Sequence, residues 1–205
     1  MSDQIYPLLK EAAFRAFRQS RKRHEGAEFY VVGLFTSGEY AYLVDTTATI
    51  EALREVAAQY LGRPVGFCEP DALDSQMREL KWSLPDSPYH GEFGQAFNDV
   101  NDLLGELLTE ADVDKPDAYW ARDKAVNDAC YQVLEEIRDS GLFDKDKVVF
   151  ALFMGDQSNE ERLINIERLN PHHLIEAFRN EVSIDEGEAD LMRADYWKFE
   201  DDGSG

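Results

Sequence analysis

The chain has 205 residues, 43% hydrophobic and 12% aromatic, which is enough apolar surface to fold one core and too much for a disordered polyelectrolyte. Its 42 acidic and 21 basic residues leave a net charge of −21, which repels phosphate backbones and anionic lipid and argues against nucleic-acid and membrane-surface partners. No apolar run reaches the roughly 20 residues of a membrane helix and the N-terminus lacks the pattern of a signal peptide, so a cytoplasmic location is expected.

From Ile5 to His24, Ile5, Leu8, Leu9, Ala12, Ala13, Phe14, Ala16 and Phe17 recur every three or four residues and predict an amphipathic helix. Its last turn carries Arg21, Lys22, Arg23 and His24, charges matched to the negative end of the helix dipole, and Gly26 follows as a stop. Residues 1–25 also hold Lys10, Arg15 and Arg18 against Asp3, Glu11 and Glu25, a net of +3 that leaves −24 on the other 180 residues. Residues 28–35 and 39–45 read as two strands joined by Thr36-Ser37-Gly38 in a tight hairpin, apolar on both faces and so expected in a sheet under a helical cover. Thr47 or Thr49 is placed to cap a helix from Ile50 to Leu61, which Gly62 and Pro64 end.

Pro64, Pro70, Pro85, Pro88 and Gly91 break up residues 63–92, leaving a short helix over 72–79 and a strand or extended stretch over 80–84. Helices follow over 93–111 and 116–140, the second with Pro116 in its first turn and Gly141 closing it. Its buried side is predicted to carry Tyr119, Trp120, Ala125, Ala129, Val133, Leu134 and Ile137. Val148 to Met154 is uninterruptedly apolar, as a central strand is. Residues 160–169 read as a helix, with Asn170 capping a last one from Pro171 to Val182. The acidic segment 183–202 also carries Leu191, Met192, Tyr196, Trp197 and Phe199 and is expected to dock in part on the single domain of residues 1–182; Gly203-Ser204-Gly205 reads as an appended linker. The fold class is α+β, a small and mainly antiparallel sheet with helices packed against it.

Signatures of catalysis are absent from this order of residues. The thirteen glycines form no phosphate-cradling loop, no GxSxG follows a strand, and the adjacent His172 and His173 would point about 100° apart on a helix, too far to share a metal. Cys68 and Cys130 read as small buried hydrophobes, and neither cofactor nor metal is expected. One segment, Lys81-Trp82-Ser83-Leu84-Pro85-Asp86-Ser87-Pro88-Tyr89-His90-Gly91, differs from ordinary scaffold: it sets a Trp and a Tyr in a proline-stiffened loop. Trp82 there is either an interface anchor or a core plug.

Residues 29–38, Leu80-Lys81-Trp82-Ser83, the strand 148–154 with Asp156, and Arg168-Leu169-Asn170-Pro171 together resemble the bacterial domain of unknown function family DUF4303, over most of residues 1–182. The resemblance implies a small cytoplasmic protein of the kind that acts as an immunity protein against a toxin, and it carries over no catalytic residue. The expected function is therefore binding and occlusion of a cognate toxin domain, a basic one such as a nuclease, since carboxylates can stand in for its substrate's phosphates. Trp82, Asp86, Tyr89, His90, Glu92, Asp185, Glu186 and Glu188 are the expected contacts. The alternatives are an interaction or scaffold protein without a toxin, and an enzyme using His90 as a general base.

Overall fold

A computed structural model describes the backbone of residues 2–110 and 116–201, and the side chains of 4–108 and 118–194. The elements are α1 (Ser2–Arg23), β1 (Phe29–Thr36), β2 (Leu43–Thr49), α2 (Ile50–Tyr60), α3 (Pro70–Leu80), α4 (Asn98–Glu110), α5 (Pro116–Asp139), β3 (Val149–Met154), α6 (Asn159–Glu167), α7 (His172–Glu181) and α8 (Glu186–Asp201). The strands form one mixed sheet in the order β2-β1-β3, with β1 antiparallel to β2 and parallel to β3. Among the described residues no helix is long and apolar enough to cross a membrane.

Side-chain alternation decides what covers the sheet. Val32 and Leu34 of β1, with Phe150 and Leu152 of β3, meet Phe17 of α1, Leu104 of α4 and Leu134 of α5. Val31 and Phe35, with Val149, Ala151 and Phe153, meet Leu163 and Ile166 of α6, Phe178 of α7 and Ala189 of α8. Both faces are thus buried, which is why β1 and β3 read as continuous apolar runs; each fully buried Leu or Phe contributes roughly 1.5–3 kcal/mol. A third cluster, Leu53, Ala57, Ala58, Leu73 and Leu80, joins α2 to α3 as a side lobe. Close approach at the centre of the sheet requires glycine: a Cβ on Gly33 would lie 2.3 Å from the Ala151 carbonyl oxygen.

Side-chain amides close both sheet edges. On β2, Asn101 accepts from Leu43 N at 2.7 Å and donates to Leu43 O at 3.0 Å, as a neighbouring strand would. On β3, Asn170 accepts from Phe150 N at 2.8 Å and donates to Phe150 O at 2.7 Å. Asn165 donates to Leu152 O and Gln157 accepts from Met154 N further along that edge. An edge closed this way offers no row of free amides to another chain.

Several expectations move. The second strand was expected over 39–45 and instead runs from Leu43 to Thr49, because the turn is longer. Within that turn Tyr40 takes a positive φ of 48°, held by the fully buried Arg122, which donates to Glu39 O and Tyr40 O at 2.9 Å each. Thr49 caps α2, accepting from Ala52 N, while Thr47 faces Ser20. Residues 80–84 are not extended but turn into a short 3-10 helix at Leu84–Asp86. Trp120, expected on the buried side of α5, is 60% exposed. Asn170 does not cap α7, since Pro171 holds that position and the amide is spent on β3. Cys130 is buried, and burial pushes its thiol pKa up, but Cys68 is only half-buried. Residues 203–205 and the side chains of Tyr196, Trp197 and Phe199 lie outside the described residues.

Candidate functional site

Segment 81–93 leaves α3, crosses the sheet and runs along the outer edge of β2. Gly91 N donates to Asp45 O at 2.7 Å and Ser87 Oγ to Thr47 O at 2.8 Å, so the segment occupies the place a fourth strand would take. Its side chains then divide by direction.

Trp82 points inward. It is 6% exposed, meets Phe178 edge-on at 4.7 Å between ring centroids, and donates Nε1–H to Glu181 at 3.0 Å. Of the two roles open to it, the structure places it as the plug under α7, which removes it from the contact set. His90 also points in, with Nδ1 3.3 Å from Thr46 Oγ1 and its ring edge-on to Phe35. Burial lowers its pKa, and the hydrogen-bond partner of its Nδ1 is the Thr46 hydroxyl.

Tyr89 and Glu92 meet residues at the end of α1 instead. The Tyr89 ring stacks on His24 at 3.8 Å, and Glu92 bonds His24 Nε2 at 2.7 Å and Arg23 Nε at 3.1 Å. Beneath them Asp45, fully buried, accepts the Phe93 amide at 3.2 Å. Burial pushes its carboxyl up to about 6, the amide bond opposes the shift, and nearby Glu92 adds to it. This group locks the loop onto α1 and β2. Sequence reading missed His24 and Asp45; a lone aspartate inside an apolar strand was the available signal for the second.

Asp86 turns outward to the α2–α3 lobe. It accepts from Tyr60 OH at 2.9 Å and from Ser83 Oγ at 2.5 Å. Tyr60 is 59% exposed, and Phe67, on the short 3-10 turn between α2 and α3, is 77% exposed. The exposed side chains of Glu55, Glu69 and Asp71 belong to the same lobe. The exposed rings of this lobe are thus Tyr60 and Phe67, while Trp120 on α5 and Tyr42 before β2 are exposed elsewhere; no pattern in the sequence marked Tyr60 or Phe67, because each completes a stretch that reads as ordinary helix end or turn.

Asp185, Glu186 and Glu188 form a separate group at the start of α8. Asp185 caps the helix by accepting from Gly187 N and Glu188 N, and its own amide donates to Glu160 at 2.7 Å. Glu186 accepts from Arg179 at 2.6 Å, and Glu188 is exposed. Arg193 and Arg179 both reach Glu167 at 2.9 Å, which ties α8 to α6 and α7. Burial alone would raise the Glu167 carboxyl, but those hydrogen bonds outweigh it and hold it low. No hydrogen bond or ion pair among the described residues joins Asp185, Glu186 or Glu188 to segment 81–93.

Among the described residues no three His, Cys, Asp or Glu side chains stand together as metal ligands would. His172 is exposed, and His173 bonds the Asp146 carbonyl at 2.8 Å. Compared with known proteins, residues 9–171 match a family model described as a domain of unknown function, DUF4303. No curated protein and no solved structure matches the chain.

Proposed function

The chain belongs to the DUF4303 family, and on the surface its fold presents we propose that it is an immunity-type protein of the cytoplasm, one that binds a basic toxin domain and occludes it. The observation that carries this reading is the α2–α3 lobe, where Phe67 and Tyr60 are 77% and 59% exposed and the exposed carboxylates outnumber the exposed Arg54, Arg63 and Arg78. An exposed ring on a short turn, Phe67, with another at a helix end, Tyr60, supplies contact area at little entropic cost, as binding hot spots do. Asp86 and the nearby Glu55, Glu69 and Asp71 provide the charge that a cationic partner would meet, and the net −21 draws that partner in from a distance.

The mechanism is steric and electrostatic. The lobe covers the basic surface with which the toxin would hold its own anionic substrate, and carboxylates take the positions of that substrate's charges. The experiment is neutralisation. The basic protein that co-purifies with the chain is assayed for its toxic activity against increasing amounts of wild type and of a Tyr60→Ala/Phe67→Ala variant. Stoichiometric loss of activity with wild type alone is expected; a partner equally active when saturated with the chain would overturn the reading.

A further inference from the structure

The outward face of α1 is the basic exception on an acidic protein. Lys10, Arg15, Arg18, Lys22 and Arg23 all lie on its solvent side, within a segment of net +3 on a chain of net −21. Two grooves run along this face and adjoin, because Arg15 and Gln19 line both. The first has Tyr6, Pro7 and Phe14 as an apolar floor and Lys10, Arg15 and Arg18 as a cationic wall, with Glu11 also lining it. The second continues past Arg23 and its partner Glu92 to Gly94 and Gln95. From Tyr6 to Arg23 the channel extends for about 26 Å, at 1.5 Å per helical residue.

Not all of that charge is neutralised within the chain. Lys10 pairs with Glu136 at 2.7 Å, and Arg23 with Glu92. Arg15 donates to the Ala96 carbonyl and stands 4.0 Å from Glu11. Arg18 lies over the Phe14 ring at 5.2 Å, and neither it nor Lys22 has an ion pair among the described residues. A guanidinium laid on an aromatic ring beside an open groove is oriented for a carboxylate arriving from outside.

We propose that this α1 groove docks an acidic segment of a second protein, one carrying leucine or phenylalanine side chains for the Tyr6–Phe14 floor and carboxylates for Arg15 and Arg18. Charge complementarity selects this occupant. A nucleic acid is also anionic, but it carries no leucine or phenylalanine side chain to fill the apolar Tyr6–Phe14 floor. A second copy is disfavoured by symmetry: a two-fold pair through α1 would set cation against cation. The surface is distinct from the α2–α3 lobe, so the chain would bridge a basic and an acidic partner.

The test is fluorescence anisotropy with a labelled peptide of repeated Leu-Glu-Glu-Phe units long enough to span the groove. Saturable binding is expected, weakened about tenfold or more by Arg15→Glu/Arg18→Glu through loss of two charge-assisted contacts. An equal charge change on α2 and α3, Arg54→Glu/Arg78→Glu, is expected to leave it unchanged, and a Leu-Lys-Lys-Phe peptide is expected not to bind. Thermal melts confirm that both variants fold, and Arg18→Gln alone provides a milder version of the same test. Absence of saturable binding, or equal weakening by both charge reversals, overturns the proposal. Displacement of the peptide by polyuridylic acid would reassign the groove to nucleic acid. Self-association that Arg15→Glu/Arg18→Glu abolishes would reassign it to a second copy.

Discussion

Glu92 bonds Nε2 of His24 at 2.7 Å, with the stacked Tyr89 ring at 3.8 Å on the same imidazole. Sixty-eight residues separate the pair, and it closes segment 81–93 against the end of α1. Removing the carboxylate leaves the largely buried His24 without its acceptor, while Arg23, 65% exposed, returns to water. Glu92→Ala is therefore expected to cost about 2 kcal/mol of stability. Urea unfolding checks this: the midpoint should fall with the slope unchanged, and a midpoint equal to wild type would show the pair to be idle.

Asp45 sets a pH dependence of opposite sign to the usual carboxylate. Its folded pKa, about 6, lies above the ordinary value of 3.8, so the folded state holds a proton that the unfolded state releases between those values. The contribution of Asp45 to stability is therefore greatest below about pH 4, declines as pH rises through 4 to 6, and is lost above it. Asp45→Asn keeps an acceptor for the Phe93 amide and removes the penalty. It should stabilise the protein at pH 7.5 by about 1–2 kcal/mol more than at pH 4.5. Equal effects at the two pH values would show that ionisation of Asp45 is not the cause.

The asparagine edges predict where the sheet opens. Asn170→Ala leaves both Phe150 N–H and C=O without their partner, at a cost of about 2–3 kcal/mol. Hydrogen exchange at the Phe150 amide should accelerate by more than at the β3 amides that bond β1. Uniform acceleration along β3 would mean global rather than edge-local loosening.

Gly33→Ala tests the centre of the sheet. Its Cβ would meet the Ala151 carbonyl oxygen at 2.3 Å and the Phe153 ring at 2.8 Å, and a backbone atom on the neighbouring strand cannot swing aside. A loss of about 3 kcal/mol or more is expected, read as a lowered thermal midpoint. A variant as stable as wild type would contradict the β1–β3 register.

What could be read from the sequence follows from how local each cause is. The stripes of α1 and α5 and the run at β3 announce themselves, because periodicity and burial act over neighbouring residues. The β2 boundary does not. Thr46 to Thr49 can serve as strand or as helix lead-in, and Arg122, some eighty residues on, braces Tyr40 and fixes the longer turn. Asn170 reads as a helix cap and Asn101 goes unmarked inside the expected helix 93–111, because the strand each one completes is 20 or 58 residues away. In the candidate site the unusual segment 81–91 was legible as a segment, but which of its rings faced outward was not. Trp82 turned in because Phe178 and Glu181 receive it, while Tyr60 and Phe67, on elements that look ordinary, were left outside.

The immunity reading is tested most directly by capture on the tagged, full-length chain from its native host at low salt, wild type beside Tyr60→Ala/Phe67→Ala. One basic protein is expected in stoichiometric yield on wild type, released as ionic strength rises and at least about tenfold depleted on the variant, in keeping with the loss of two hot-spot rings. Both rings are largely solvent-exposed, so the variant should melt with wild type. Retention of the same partner by the variant, or a partner that binds as tightly at high salt as at low, would contradict recognition by an aromatic lobe within an acidic field.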